Sequence, residues 1–287
     1  MLTIPYNATR QALFHPEQAD DFFQHGAISS DAALCAEMAR LAYVKEDGRL
    51  RQYLTRARFE LIATINYNAP GTQAFIAKSQ TETPNRIAVM AFRGTQTDDP
   101  SDLFMDARFV MTDWTVDGEK VGRVHEGFAS AFRAVFPKDE DLTSTMPAGV
   151  DRMLLTGHSL GAAVATLAAS VFQPGHLYTF GSPLVGDVDF ARSMRDVDHS
   201  RYVDCCDMVT RVPPEFLGYV HIGALRYIDQ HGSVLGAPSD SAIERDRGEA
   251  SRSYFFKYAF QLGTVPTRDL ADHAPINYVS AIMGLRP

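Results

Sequence analysis

The stretch Leu154-Leu155-Thr156-Gly157-His158-Ser159-Leu160-Gly161-Ala162-Ala163 decides how this chain is read. Apolar and β-branched residues lead into Gly-x-Ser-x-Gly, and an Ala-rich run follows, the pattern of a strand, a tight turn and a helix. A serine at such a turn is held in a strained conformation with its Oγ exposed. Glycine fits at 157 and 161 because a side chain there would crowd the turn or press the helix away from the strand. Residues 160–169 (LGAAVATLAA) form a strong helix of small side chains, as tight packing on a sheet requires. The helix N-terminus turns backbone N–H groups and a positive dipole end towards any anion beside Ser159. Gly-x-Ser-x-Gly alone arises often by chance. The strand before it and the helix after it are the context that makes the serine a candidate nucleophile.

The chain has 287 residues, 45% hydrophobic and 22% charged, enough for a sizeable core. With no internal repeat and no low-complexity linker, one domain over residues 1–287 is the simplest expectation. A net charge of −8 argues against nucleic acid and against electrostatic docking on anionic membranes. No run of 18 apolar residues predicts a transmembrane helix. The first residues lack a basic segment followed by an apolar one, so no signal peptide is expected. An odd set of three cysteines, Cys35, Cys205 and Cys206, two of them adjacent, makes a poor disulfide framework and predicts free thiols and a cytoplasmic location. No His/Cys/Asp cluster has metal-ligand spacing, so neither metal nor cofactor is expected.

Along the chain, Ser29-Ser30-Asp31 offers caps for a helix running to about Tyr43. Phe59–Ile65 and Gln73–Lys78 read as a hairpin, and Ile87–Phe92 as a central strand buried on both faces. Val124–Phe128 leads into a helix, His176–Phe180 and Tyr202–Cys205 read as short strands, and Tyr219–Ile228 as another. Residues 230–250 are polar and Gly-rich, which predicts a loop, and the tail from about Thr267 predicts a helix. The alternation from Ile87 to Tyr202 implies a mostly parallel sheet with helices on both faces. Ligands in such sheets sit beyond the carboxyl ends of the strands, where Arg93-Gly94-Thr95, Ser159 and Asp207 all fall.

A serine nucleophile needs a base oriented by a third group, and in this architecture the acid and then the histidine follow the serine in the chain. Of nine histidines, His221, His231 and His273 lie late enough. His221 sits in an expected strand, where a structural role fits. His231 lies in a Gly-rich loop, where solvation fits. His273 follows Asp272 just before the last helix and is the preferred base. For the acid, Asp207 follows a strand directly and Asp204 competes with it, whereas Asp187 and Asp189 fit a helix start.

The fuller pattern resembles the fungal-type class 3 triacylglycerol lipases. The resemblance rests on Phe92-Arg93-Gly94-Thr95, Val124–Phe128, Thr156–Gly161, Thr179–Pro183, Asp207-x-Val209 with Pro213-Pro214, Gly218-Tyr219-x-His221 and Asp272-His273, in order between about residues 86 and 280. It implies an α/β-hydrolase fold in which Ser159 is the nucleophile, Asp207 the acid and His273 the base. Thr95 and Leu160 would supply the oxyanion-hole N–H groups, and His125 and His221 would be structural. A lid would match roughly Asp98–Met111. The sequence departs from the family at Asp204, where Asn is usual, at Thr210, where Pro is common, and in a lid segment without Trp.

The implied activity is a serine hydrolase cleaving lipid carboxylic esters, acylglycerols first, at a lipid–water interface. Phospholipase A1 and short-chain esterase are the alternatives, and an inactive lipid-binding relative is the rival from outside the enzymes. The apolar residues Leu103, Phe104, Met105, Phe109, Val110 and Met111 exceed what a short solvent-facing helix needs. They fit either a lid that turns towards lipid or plain packing on the core, and Leu103, Phe104, Met105 and Phe109 are the expected acyl contacts.

Overall fold

The strand that delivers Ser159 lies inside an eight-stranded sheet. The computed structural model describes residues 3–26, 28–66, 73–81, 86–94, 108–136, 147–173 and 175–286. In chain order the elements are α1 (Arg10–Phe14), α2 (Asp31–Leu41), α3 (Asp47–Arg56), β1 (Phe59–Asn66), β2 (Gln73–Ser79), β3 (Ile87–Phe92), β4 (Met111–Val116) and β5 (Glu119–His125). There follow α4 (Glu126–Val135), β6 (Arg152–His158), α5 (Leu160–Phe172), β7 (His176–Phe180), α6 (Val188–Ser193) and β8 (Asp198–Asp204). The last are β9 (Ala224–Ile228), β10 (Val234–Leu235), α7 (Asp240–Tyr258), α8 (Arg268–Ala271) and α9 (Pro275–Ile282).

The sheet runs β1-β2-β3-β6-β7-β8-β9-β10. Its middle, β3 through β9, is parallel, and antiparallel pairs close both edges. β3 explains why its sequence is a continuous apolar run. Val89 and Ala91 enter the core beneath α2 and α9, and Ala88, Met90 and Phe92 enter the core beneath α4 and α5. Burying each large apolar side chain contributes about 1.5–3 kcal/mol, so both faces of this strand fix its place. Ser30 caps α2 by accepting from Ala33 N at 3.1 Å, where a helix was expected to start.

Three segments differ from the sequence expectation. The 230–250 loop is instead β10 and most of α7, a 19-residue helix capped by Ser239. Only Ile243, Ala250 and Tyr254 of α7 are buried, so the helix has no broad apolar stripe for periodicity to register. The strand expected over Tyr219–Ile228 is confined to β9, because Gly223 turns the chain at φ +85°. Met111, expected at the end of a lid, opens the hairpin β4–β5, which turns at Asp117 (φ 51°) and Gly118 (φ 82°). Asp-Gly between extended runs is a strong hairpin signal.

Candidate active site

Ser159 joins β6 to α5 with φ 58° and ψ −128°, a conformation that costs a non-glycine residue about 1–3 kcal/mol. Tight packing holds it there. A Cβ on Gly157 would lie 2.2 Å from the carbonyl oxygen of Gly161, and one on Gly161 would lie 2.2 Å from that of Phe92. Both glycines are therefore dictated by backbone touching backbone. Leu160 is the first residue of α5, so its N–H has no acceptor within the helix and points out of its end. Ser159 itself is only 4% exposed, because the turn presses Oγ against a histidine instead of opening it to solvent.

That histidine is His273, whose Nε2 lies 2.9 Å from Ser159 Oγ. Its Nδ1 lies 2.9 and 3.0 Å from the two carboxylate oxygens of Asp207. An ionised carboxylate can only accept, so Nδ1 carries the hydrogen and Nε2 of the neutral ring is left to accept from the serine hydroxyl. Asp207 is held in turn by Val209 N–H at 2.9 Å and by the Tyr278 hydroxyl at 2.6 Å. Gly181, at φ +58°, closes the floor: a Cβ there would stand 2.8 Å from Asp207 Oδ2 and 3.0 Å from His273 Nδ1.

A second histidine supports the first. His158 Nε2 lies 2.9 Å from the carbonyl oxygen of His273, which accepts, so Nε2 bears the hydrogen. His158 Nδ1 then accepts from the Tyr43 hydroxyl at 2.9 Å. Burial, and next the charge of His273, push the His158 pKa well down, so the ring stays neutral. The Tyr43 hydroxyl also accepts from Gly94 N–H, which ties the end of β3 to the same cluster. Neither Tyr43 nor Tyr278 carries a sequence signal. His158 and Gly181 lie inside quoted motifs whose spacing says nothing of their contacts.

The other expected residues fall as follows. Asp204 is turned away from His273 and pairs with Arg286 at 2.7 Å. Asp187 caps α6 by accepting from Phe190 N. His221 and His231 sit in the segments flanking β9, and their rings make no hydrogen bond to Ser159. His125 accepts from Gly127 N–H and packs on Phe128 with ring centroids 4.3 Å apart. Phe109 is half-buried against the edge of the His125 ring. Thr95, Leu103, Phe104 and Met105 lie outside the described residues. Cys35, Cys205 and Cys206 are buried free thiols. Cys205, Cys206 and Asp272 stand close enough to share an ion. Asp272 is already engaged by Arg268, the Tyr6 hydroxyl and Cys206 N–H, and the Cys205 thiol pKa is pushed far up, so this donor set suits a metal poorly.

Residues 89–217 match the family of class 3 lipases. Over 198 residues the chain is 30% identical to the secreted mono- and diacylglycerol lipase A of Penicillium camembertii, covering 63% of this chain and 61% of that one. It is 29% identical over 185 residues to a lipase of Rhizopus oryzae, covering 59% and 45%. These alignments span from 34% to 61% of the length of the curated relatives. Among solved structures, the lipase of Rhizopus microsporus var. chinensis superposes with a TM-score of 0.55 at 26% identity, over 79% of this chain and 82% of that one. Lipase II of Rhizopus niveus shares the fold, with a TM-score of 0.54 at 24% identity over 72% and 80%. Relatives described as secreted give no support to the cytoplasmic expectation. Family match, relatives and shared architecture agree: this chain has the α/β-hydrolase fold and is similar to the fungal class 3 lipases over the segment that carries Ser159 and Asp207.

Proposed function

We propose that this chain is a serine hydrolase that cleaves carboxylic esters of lipids, acylglycerols foremost. The observation that carries this is the continuous line Ser159 Oγ–His273 Nε2, His273 Nδ1–Asp207, at 2.9 Å in each link. Ser159 attacks the ester carbonyl while His273 Nε2 takes its proton. Asp207 holds the ring in the required tautomer and stabilises the imidazolium. The Leu160 N–H, with that of Thr95, receives the oxyanion, since one donor follows the nucleophile and the other comes from the loop after an earlier strand. His273 then returns its proton to the leaving alcohol. Water, activated by the same ring, releases the fatty acid from the acyl-enzyme.

Relatives named for mono- and diacylglycerols support partial glycerides as substrates, and relatives described as secreted support an extracellular site of action. The segment around Leu103, Phe104, Met105 and Phe109 acts as the lid and acyl contact. A fluorophosphonate probe tests the centre: it should label the native chain once, at Ser159, and not the denatured chain. Labelling elsewhere, or none, removes the hydrolase reading. A chain-length series of p-nitrophenyl esters, with and without an emulsion, separates an acylglycerol lipase from a short-chain esterase.

A further inference from the structure

Among the described residues, three secluded arginines are paired with a carboxylate. Arg40 pairs with Glu37, Arg268 with Asp272, and Arg286 with Asp204. Arg201, on β8, is only 8% exposed, yet among the described residues its guanidinium meets no carboxylate and no hydrogen-bond acceptor. Its Nε is fully buried and unpartnered. A guanidinium offers five N–H donors and keeps its charge, so leaving it alone away from water is costly. The surroundings register that charge. Burial pushes the Arg201 pKa down to about 10. His199 and His221 are pushed down to about 3, by burial first and then by the Arg201 charge.

Arg201 opens on a cavity of about 460 Å³, within the usual range for small-molecule sites. Leu184, Val203 and Ile243 form its buried apolar wall. Glu215, Asp240 and Glu244 stand exposed at its mouth, where Arg247 bonds Glu244 at 3.0 Å. We propose that this cavity is a second ligand site, which takes a carboxylate carrying an apolar chain. The fork of Arg201 fits the two oxygens of a carboxylate. The apolar wall receives the chain, which inorganic phosphate lacks. Thr210, which lines the cavity, donates to the carbonyl oxygen of Asp207 at 2.8 Å, so the site adjoins the acid of the triad. That the ligand is a fatty acid released by this same enzyme rests on the hydrolase reading; that the cavity binds such a carboxylate does not.

The test titrates the full chain with sodium octanoate, 1-octanol, acetate and inorganic phosphate, reading the Tm. Octanoate at roughly 100-fold excess over its Kd should raise the Tm by about 5 °C. Acetate, octanol and phosphate should do much less. Arg201→Met should fold, with a Tm at or above the wild type, and lose the octanoate shift. Arg201→Lys, which keeps the charge without the fork, should weaken octanoate binding at least about tenfold. Octanol or phosphate matching octanoate, or Arg201→Met keeping the full shift, would overturn the proposal. So would an unfolded Arg201→Met beside an unaltered octanoate affinity in Arg201→Lys. Soluble-ester turnover is read in parallel: its absence with octanoate binding intact removes the hydrolase reading and leaves this site standing.

Discussion

Asp204 and Asp207 stand three residues apart at the end of β8, both fully buried, and their neighbours give them different tasks. Asp207 accepts from His273 Nδ1, the Tyr278 hydroxyl and Val209 N–H, so its charge is spread over three donors. Asp204 has Arg286 on one oxygen, and its other oxygen has no partner. Its pKa is pushed up to about 7, mainly by burial, with Arg286 opposing and Asp272 adding to the rise. A carboxyl is fitted for catalysis by the donors aimed at it. Chain position brings both aspartates near the site, and the donors decide between them.

The sharpest way to break this comparison is to neutralise each in turn. Asp207→Asn should lower kcat by roughly 10⁴ with the fold retained, because an amide holds the imidazole in the wrong tautomer. Asp204→Asn should stay within about tenfold of the wild type. Equal losses from the two, measured on a soluble ester at matched Tm, would place Asp204 in the machinery beside Asp207.

Two changes test the donors themselves. Gly181→Ala would drive a methyl between Asp207 Oδ2 and His273 Nδ1, at a backbone angle that disfavours any side chain. Turnover should fall about a hundredfold and stability by about 1–2 kcal/mol. Tyr278→Phe removes the 2.6 Å bond onto Asp207. Hydrogen bonds to charged groups contribute about 1.5–3 kcal/mol, so kcat should drop about tenfold or more, with KM little changed. A Tyr278→Phe chain with wild-type kcat would show that Val209 N–H and His273 suffice to hold the carboxylate.

How much of this was legible beforehand follows the same division. The turn at Ser159 was readable because backbone contact at Gly157 and Gly161 leaves only glycine possible, and such constraints print directly into sequence. β3 was readable because both its faces are buried. α7 was not, since its buried face is three residues wide and its polar remainder resembles a loop. Tyr43, His158 and Tyr278 act through contacts that span more than 70 residues of chain, and local pattern carries no trace of those. The unpaired charge of Arg201 is likewise invisible until β8 and α7 are seen to enclose one cavity.

The smallest expected effect on turnover belongs to Asp204, whose ionisation appears in stability instead. A carboxyl near pKa 7 in the folded chain and near 3.9 in the unfolded chain holds its proton more tightly when folded. Its contribution is therefore complete below about pH 4 and is lost as the pH rises through about 7. Arg286 stays charged throughout and its attraction is already contained in the pKa of about 7, so the decline between pH 5 and pH 8 is on the order of 2 kcal/mol. Urea midpoints at pH 5 and pH 8 should show this decline in the wild type and a smaller one in Asp204→Asn, whose amide cannot ionise. The two chains should keep parallel pH–rate profiles, because His273, the base of the proposed triad, leans on Asp207 and not on Asp204. Identical stability slopes would mean that Asp204 is ionised in the fold at both pH values, and the contrast between the two aspartates would then rest on geometry alone.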